Sequence, residues 1–190
     1  QRRELAERLG TVEEYLATLD MTVEVARVDQ SSVSRVAQLI MKTNQFNLTT
    51  PRYTEADIRA MMDSTDCVVA SMRISDVYGD SGLVGAAILS FSQPHVELNA
   101  FLISCRVIGR GAEDAFLAAL TQEVSKRNNT GLMARYIPTR KNSLVADFLP
   151  RCGLKLLATE ESHSSYALDS DAIPLAVPAH IHLNNELCGT

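Results

Sequence analysis

The stretch "AFLISCRVIGRGAEDAF", residues 100–116, carries the decision about the fold. It opens as an apolar run of the kind a buried strand uses, and it closes as the start of an amphipathic helix. Between them, Arg106, Gly109 and Gly111 spell R-x-x-G-x-G, with Cys105 just ahead and Arg110 inside the turn. Glycine lets a backbone turn tightly and approach a ligand closely. The first amides of a helix are unpaired and lie at the positive end of its dipole, so such a turn favours a phosphate. A dinucleotide-binding G-x-G-x-x-G reading fails, because its third glycine position is Asp114 and no β-α-β frame precedes it.

Working toward the N-terminus, "VELNAFLISCRVI" (96–108) reads as one strand. "CVVASMRIS" (67–75) and "GLVGAAILSF" (82–91) are two more, flanking the hairpin-like connection "DVYGDSG". Two helices precede them. "YTEADIRAMMDS" (53–64) is capped by Thr54, with Ile58, Met61 and Met62 facing inward. "SSVSRVAQLIMKT" (31–43) places Val33, Val36, Ala37 and Ile40 on one face. "MTVEVARV" (21–28) alternates as a strand, and residues 1–19 read as one or two short helices with a Thr11–Glu14 capping box.

Toward the C-terminus, "GAEDAFLAALTQEVSKR" (111–127) is an amphipathic helix whose stripe is Ala115, Phe116, Ala119, Leu120 and Val124. "GLMARYIP" (131–138) is a strand, "KNSLVADFLPRC" (141–152) a helix broken near Pro150, and residues 154–168 one or two closing strands. The tail "DAIPLAVPAHIHLNNELCGT" (171–190) holds two prolines and no clear period, and reads as an arm or linker. The order β-α-α-β-β-β-α-β-α-β-β predicts an α/β domain at residues 21–170: a central mixed, mostly antiparallel sheet flanked by helices. Residues 1–20 then form an N-terminal helical extension or linker, and residues 171–190 the C-terminal arm.

Composition narrows the function. The chain has 190 residues, 46% hydrophobic and 22% charged, with a net charge of −5. An acidic balance without a basic patch argues against nucleic acid. No apolar run approaches the roughly 18 to 20 residues that span a bilayer, and the charged start "QRRELAERLG" is not a secretory signal. Cys67, Cys105, Cys152 and Cys188 are scattered without a CxxC pair, so reduced thiols in a cytoplasmic protein are expected and a zinc site is not. His180-x-His182 is too sparse for a metal. The chain starts with Gln, which fits a piece of a longer polypeptide.

R-x-x-G-x-G after the fourth strand resembles the pyrophosphate loop of the GCN5-related N-acetyltransferase (GNAT) fold. The predicted element order matches that fold along residues 21–168. "KNSLVADFLPRCGL" resembles the same family's N-x-x-A-x-x-F-Y-x-x-x-G-F segment through Asn142, Phe148 and Gly153. The tyrosine that commonly protonates the departing thiolate in that family falls at Leu149, which has no proton to give. No acidic residue presents itself as an amine-deprotonating base.

Three stretches carry a narrower resemblance: "RVAQLIMKTNQFNLTTPRYTEADI" (35–58), "FLISCRVIGRGAEDAF" (101–116) and "YIPTRKNSLVADFLPRCG" (136–153). With "YLATLDMTVEV" (15–25) and "LVG" (83–85), they look like the C-terminal region of FkbH-like proteins of polyketide biosynthesis. The resemblance implies a haloacid-dehalogenase-like phosphatase domain elsewhere in the parent protein. It also implies a glyceryl group, taken from 1,3-bisphosphoglycerate, passing through an enzyme thioester to the phosphopantetheine of an acyl carrier protein. The phosphatase signature D-x-D-x-T/V is missing here; "LDSDAI" (168–173) matches only superficially.

On this reading Cys105 is the nucleophile. Cationic Arg106 and Arg110 and a helix N-terminus favour a thiolate, against the alternative of a buried strand-end thiol. Arg106, Gly109, Arg110 and Gly111 are expected to cradle the phosphate of carrier phosphopantetheine or of coenzyme A. Lys141 and Asn142 are expected to assist, at the point where the GNAT sheet opens to admit pantetheine. Asn44, Gln45, Asn47, Thr49 and Thr50, in the polar "TNQFNLTT" segment bordering the acceptor site of that fold, are expected to bind the glyceryl hydroxyls with Tyr136 and Thr139. His163 is the candidate general base and His95 its rival; no motif fixes either. Two other readings stay open: a conventional acyl-CoA-dependent transferase, and a non-catalytic module that docks a carrier protein.

Overall fold

A computed structural model describes residues 11–91, 95–127 and 131–187. The N-terminal helix read at residues 1–10 and the thiol of Cys188 lie outside the described residues. A short helix α1 (Val12–Ala17) opens on the capping box read from the sequence: Thr11 accepts from the Glu14 N–H while the Glu14 carboxylate accepts from the Thr11 N–H. Then come β1 (Met21–Arg27), α2 (Val33–Lys42), a two-residue strand β2 (Phe46–Asn47) and α3 (Glu55–Met62). The long meander β3 (Cys67–Asp76), β4 (Gly79–Ser90), β5 (Val96–Ile103) follows, and then α4 (Ala112–Lys126), β6 (Gly131–Tyr136) and the one-turn α5 (Phe148–Arg151). The strands β7 (Lys155–Thr159), β8 (Ser164–Asp169) and β9 (Ile181–Asn185) complete the chain.

The strands form one sheet in the order β7-β8-β6-β5-β4-β3-β1-β9, with β2 paired separately to β5. Its neighbours are antiparallel except β5 with β6 and β1 with β9. The central strands are apolar almost without alternation because both faces are covered. On one face α2 and α3 bury Val33, Val36, Ile40 and Ile58 against Val69, Ala86, Ile88, Ala100 and Leu102. On the other, α4 lays Phe116, Ala119 and Leu120 over Val23, Val25, Met72, Ala87 and Phe101. The Phe101 ring stacks on Phe116 and on Phe148, each at 5.2 Å between centroids, and Phe46 meets Phe148 edge-on at the same distance.

Three details depart from the sequence reading. The hairpin is tighter than "DVYGDSG" suggested: β3 and β4 pair through Asp76 and Gly79, with two register shifts that leave Ser81 and Val84 without a partner in the ladder. The strand at 96–108 stops at Ile103, because Ser104–Val107 closes as a turn with Val107 N–H on the Ser104 carbonyl. The tail, read as having no period, contributes β9, whose Ile181–Asn185 pair in parallel with Met21–Val25. Two prolines hid it, since β9 begins only after both of them.

Gly85 sits where β4 passes beneath α4. A Cβ there would lie 3.0 Å from Met72 Cβ and 3.3 Å from the Phe116 ring. Gly85→Ala is expected to lower stability by about 1–3 kcal/mol through overpacking, read as a lower denaturant midpoint with an unchanged slope.

Candidate active site

The parallel strands β5 and β6 pair over Val96–Leu98 and Leu132–Ala134. Past that point the chain's own segment 46–49 fills the gap. Phe46 and Asn47 pair with Ile103 and Leu102, the Leu48 N–H donates to the Phe101 carbonyl, and the Ile137 N–H donates to the Leu48 carbonyl. Asn142, fully buried, fastens this insert. Its amide donates to the Asn47 and Ile137 carbonyls at 2.8 and 3.0 Å, and its Oδ1 accepts from the Thr139 N–H and hydroxyl at 2.7 and 2.9 Å.

This arrangement corrects several expected roles. Asn142 does not face a ligand, since both ends of its amide are taken inside the protein. Asn47 is also fully buried, donating to the Thr43 carbonyl and accepting from the Thr50 N–H. Thr49 donates its hydroxyl to the Asn99 carbonyl, and Tyr136 donates to the Asn142 carbonyl at 3.4 Å. The opening expected to admit pantetheine between β5 and β6 is occupied by the protein itself.

A groove of ≈ 750 Å³ lies instead between α2, the turn after β5 and the loop after β6. It brings together Asn44, Gln45, Cys105, Arg106 and Lys141 from the sequence reading, and adds Arg35, Gln38, Lys42 and Arg140, which that reading missed. The signal was present: Arg35, Leu39 and Lys42 recur at helical spacing on the side of α2 away from Val33, Val36, Ala37 and Ile40. Thr50 and Thr139 line a smaller annex of ≈ 300 Å³ that shares Asn44, Arg140 and Lys141 with the groove.

Cys105 is exposed, and the turn explains why. The Ser104 N–H is held by the Val84 carbonyl and Val107 is fully buried, so the two residues between them are carried outward. The other described thiols differ. Burial pushes the Cys67 thiol up, and burial with the nearby Asp114 charge pushes Cys152 up to about 12.

The groove's charge is one-sided. Arg35, Lys42, Arg106, Arg140 and Lys141 line it, none of the lining residues is acidic, and none of the five pairs with a carboxylate among the described residues. Arg110 is not part of this set. Its guanidinium reaches Asp76 at 3.4 Å and the Arg106 carbonyl at 3.0 Å.

Gly109 and Gly111 have φ of 78° and 79°, the left-handed turn that glycine permits, and Gly111 caps α4. The turn, however, is occupied from within. The Glu113 carboxylate accepts the Gly109 N–H at 3.2 Å, and His180 Nε2–H donates to the Arg110 carbonyl at 2.8 Å. His163 lines a different cavity with Glu97, Asn99 and Arg135, so it is not placed to take a proton from Cys105; His95 does not line the groove either. Leu149 is buried, leaving no acid at that position. Among the described residues no group of His, Cys, Asp and Glu is arranged to hold a metal, and no helix is long and apolar enough to cross a membrane.

The fold is that of the GNAT acyltransferases. The chain superimposes on PaiA N-acetyltransferase from Thermoplasma acidophilum, solved with coenzyme A, at TM-score 0.62 and 13% identity, covering 77% of this chain and 98% of that one. It matches the ribosomal-protein-S18-alanine N-acetyltransferase of Escherichia coli at TM-score 0.58 and 10% identity, over 84% of this chain and 99% of that one. It also matches a Salmonella typhimurium acetyl transferase that modifies the N-terminal serine of ribosomal protein L7/L12, at TM-score 0.59 and 16% identity, over 78% and 95%. Neither a family model nor a curated protein matches the sequence.

Two outcomes are expected. Asn142→Ala leaves buried backbone groups unpaired and should lower stability by about 2–3 kcal/mol, read from chemical denaturation. Iodoacetamide should modify Cys105 well before Cys67 and Cys152, because only Cys105 combines exposure with cationic neighbours; time-resolved peptide mapping gives the order.

Proposed function

We propose that this domain transfers an acyl group through a thioester on Cys105. The observation that carries the reading is an exposed thiol inside a groove lined by five cations and no acid. Such a groove favours partners that bring a phosphate close to a reacting carbonyl. A phosphorylated three-carbon acyl donor meets that requirement, and the phosphopantetheine arm of an acyl carrier protein brings a phosphate at the far end of the arm from its thioester, where the outer cations of the groove would meet it. The likeness to FkbH-like proteins makes the transferred group glyceryl, activated from 1,3-bisphosphoglycerate by a haloacid-dehalogenase-like phosphatase domain, in the cytoplasm. Arg106, Arg140 and Lys141 then hold the phosphate of the three-carbon donor near Cys105, and Arg35 and Lys42 extend the positive field along α2 toward the phosphate of a carrier's arm.

The chemistry needs two exchanges. Cys105 Sγ bonds to the activated acyl carbon as the bond to the leaving group breaks, and that group departs with the electron pair. The carrier thiol, deprotonated by solvent, then bonds to the same carbon as the Sγ–C bond breaks, and the released Cys105 thiolate is ready for another turnover. Asn44 and Gln45 are placed to hydrogen-bond hydroxyls of the acyl group. Leu149 needs no proton to give, because phosphate leaves an acyl phosphate in the first exchange and the Cys105 thiolate leaves in the second, both as stable anions.

A second reading rests on the fold shared with the coenzyme-A-bound N-acetyltransferase: a conventional acyl-CoA-dependent transferase. Steady acetyl-CoA turnover with an amine acceptor by the unaltered domain would favour it. The thioester reading expects background turnover in that assay.

The decisive experiment is intact-protein mass spectrometry after incubation with glyceryl-loaded carrier protein. One glyceryl group should appear on Cys105 and be absent from folded Cys105→Ala. Glyceryl exchange at the normal rate through Cys105→Ala would overturn the reading. The double variant Arg140→Ala/Lys141→Ala should slow loading by about tenfold through a weaker phosphate contact.

A further inference from the structure

The turn that carries phosphate in the GNAT family is, in this chain, already holding an acid of its own. Glu113 lies in the first turn of α4 and curls back to the Gly109 N–H, with its side chain 5% exposed. Its Oε2 is buried without a hydrogen-bond partner. Arg151, the one cation paired with it among the described residues, is 4.0 Å away and half-exposed, and lies closer to Asp114 at 3.3 Å. Leaving a buried carboxylate oxygen unsatisfied is costly, and here burial pushes the Glu113 carboxyl up.

Two further contacts close the same turn. His180, at the approach to β9, donates to the Arg110 carbonyl, and a Cβ on Gly111 would lie 3.1 Å from its ring. Arg110, expected on the phosphate, is turned to Asp76 and to the Arg106 carbonyl. Coenzyme A therefore does not fit the turn as it stands. Its diphosphate would need the Gly109 amide that Glu113 occupies, and its pantetheine would need the gap that residues 46–49 fill.

We propose that Glu113 is a specificity-determining residue: a built-in anion that keeps diphosphate-bearing coenzyme A off the turn, so that the domain takes monophosphorylated pantetheine in the cationic groove instead. The inference rests on the phosphopantetheine part of the function proposed above. It works by negative selection. Like charge and occupied volume act against a diphosphate at the turn, while the groove cations, on other elements, still attract a single phosphate. The protonated acid fills the same space, so volume acts against the diphosphate in either form of the carboxyl and ionisation adds like charge to it.

Calorimetric titration of the chain with coenzyme A and with phosphopantetheine, both commercial probes, tests this. The unaltered protein should bind phosphopantetheine about tenfold more tightly than coenzyme A, and Glu113→Ala should tighten coenzyme A by about tenfold while changing phosphopantetheine less than about twofold. Glu113→Gln keeps an acceptor for the Gly109 N–H without the charge, so it should fold as the parent does and tighten coenzyme A by a smaller factor. Circular dichroism melting checks each variant. Removing an orphaned buried carboxylate should leave the midpoint unchanged or raise it. The inference is overturned if the unaltered protein binds the two probes equally, or if neither folded variant gains affinity for coenzyme A. Failure of Cys105 to take an acyl group in the mass-spectrometry experiment would sink the thioester reading and leave this selectivity result standing on its own.

Discussion

Strands β5 and β6 part after three residue pairs, and the main-chain groups beyond that point have to be satisfied by something. In this chain residues 46–49 do it, bonded to β5 on one side and to Ile137 on the other. Two buried amides hold the insert: Asn47 ties it to Thr43 and Thr50, and Asn142 ties it to the loop after β6. The aromatic stack of Phe46, Phe148 and Phe101 packs beneath it. The side chains of Asn47, Thr49 and Asn142 are all bonded within the protein, and this network fixes the wall of the groove beside it.

The groove's walls follow from this constraint. Filling the gap sets Asn44 and Gln45 at the end of α2, facing the turn that carries Cys105, and sets Arg140 and Lys141 opposite them. A protein of net charge −5 places five cations there without acidic partners among the described residues, while Arg27, Arg73, Arg127 and Lys155 elsewhere each have one. Cations left unpaired around a cavity raise the local potential and draw anions to it. The glycine turn before α4 shows the opposite treatment: Glu113 and His180 take its polar groups, and Arg110 is neutralised by Asp76. One region is thus left open and cationic, and the other is filled by the protein's own groups.

Much of this was legible in the chain itself. The apolar periods of β1, α2, β3, β4 and α4, the capping boxes at Thr11 and Thr54, and the glycine turn after β5 led directly to the mixed sheet between helices. Cys105, Arg106, Asn44, Gln45 and Lys141 were picked out and do meet in one groove. Those picks rested on residue type and on local charge, which are properties of short segments.

The failures share a physical cause. Asn47 and Asn142 look like ligand residues because their side chains carry donors and acceptors; 95 residues apart in sequence, they are joined by one hydrogen bond that only folding creates. Arg110 and Gly109 read as a phosphate cradle until Asp76, Glu113 and His180 arrive from other parts of the chain. By itself the sequence determined the elements, their order and the fold class, because periodicity and capping act over a few residues. Only the tertiary structure decided which polar groups were spent on the protein's own backbone and which were left for a ligand, because that depends on partners distant in the chain and on the burial that makes an unpaired group costly.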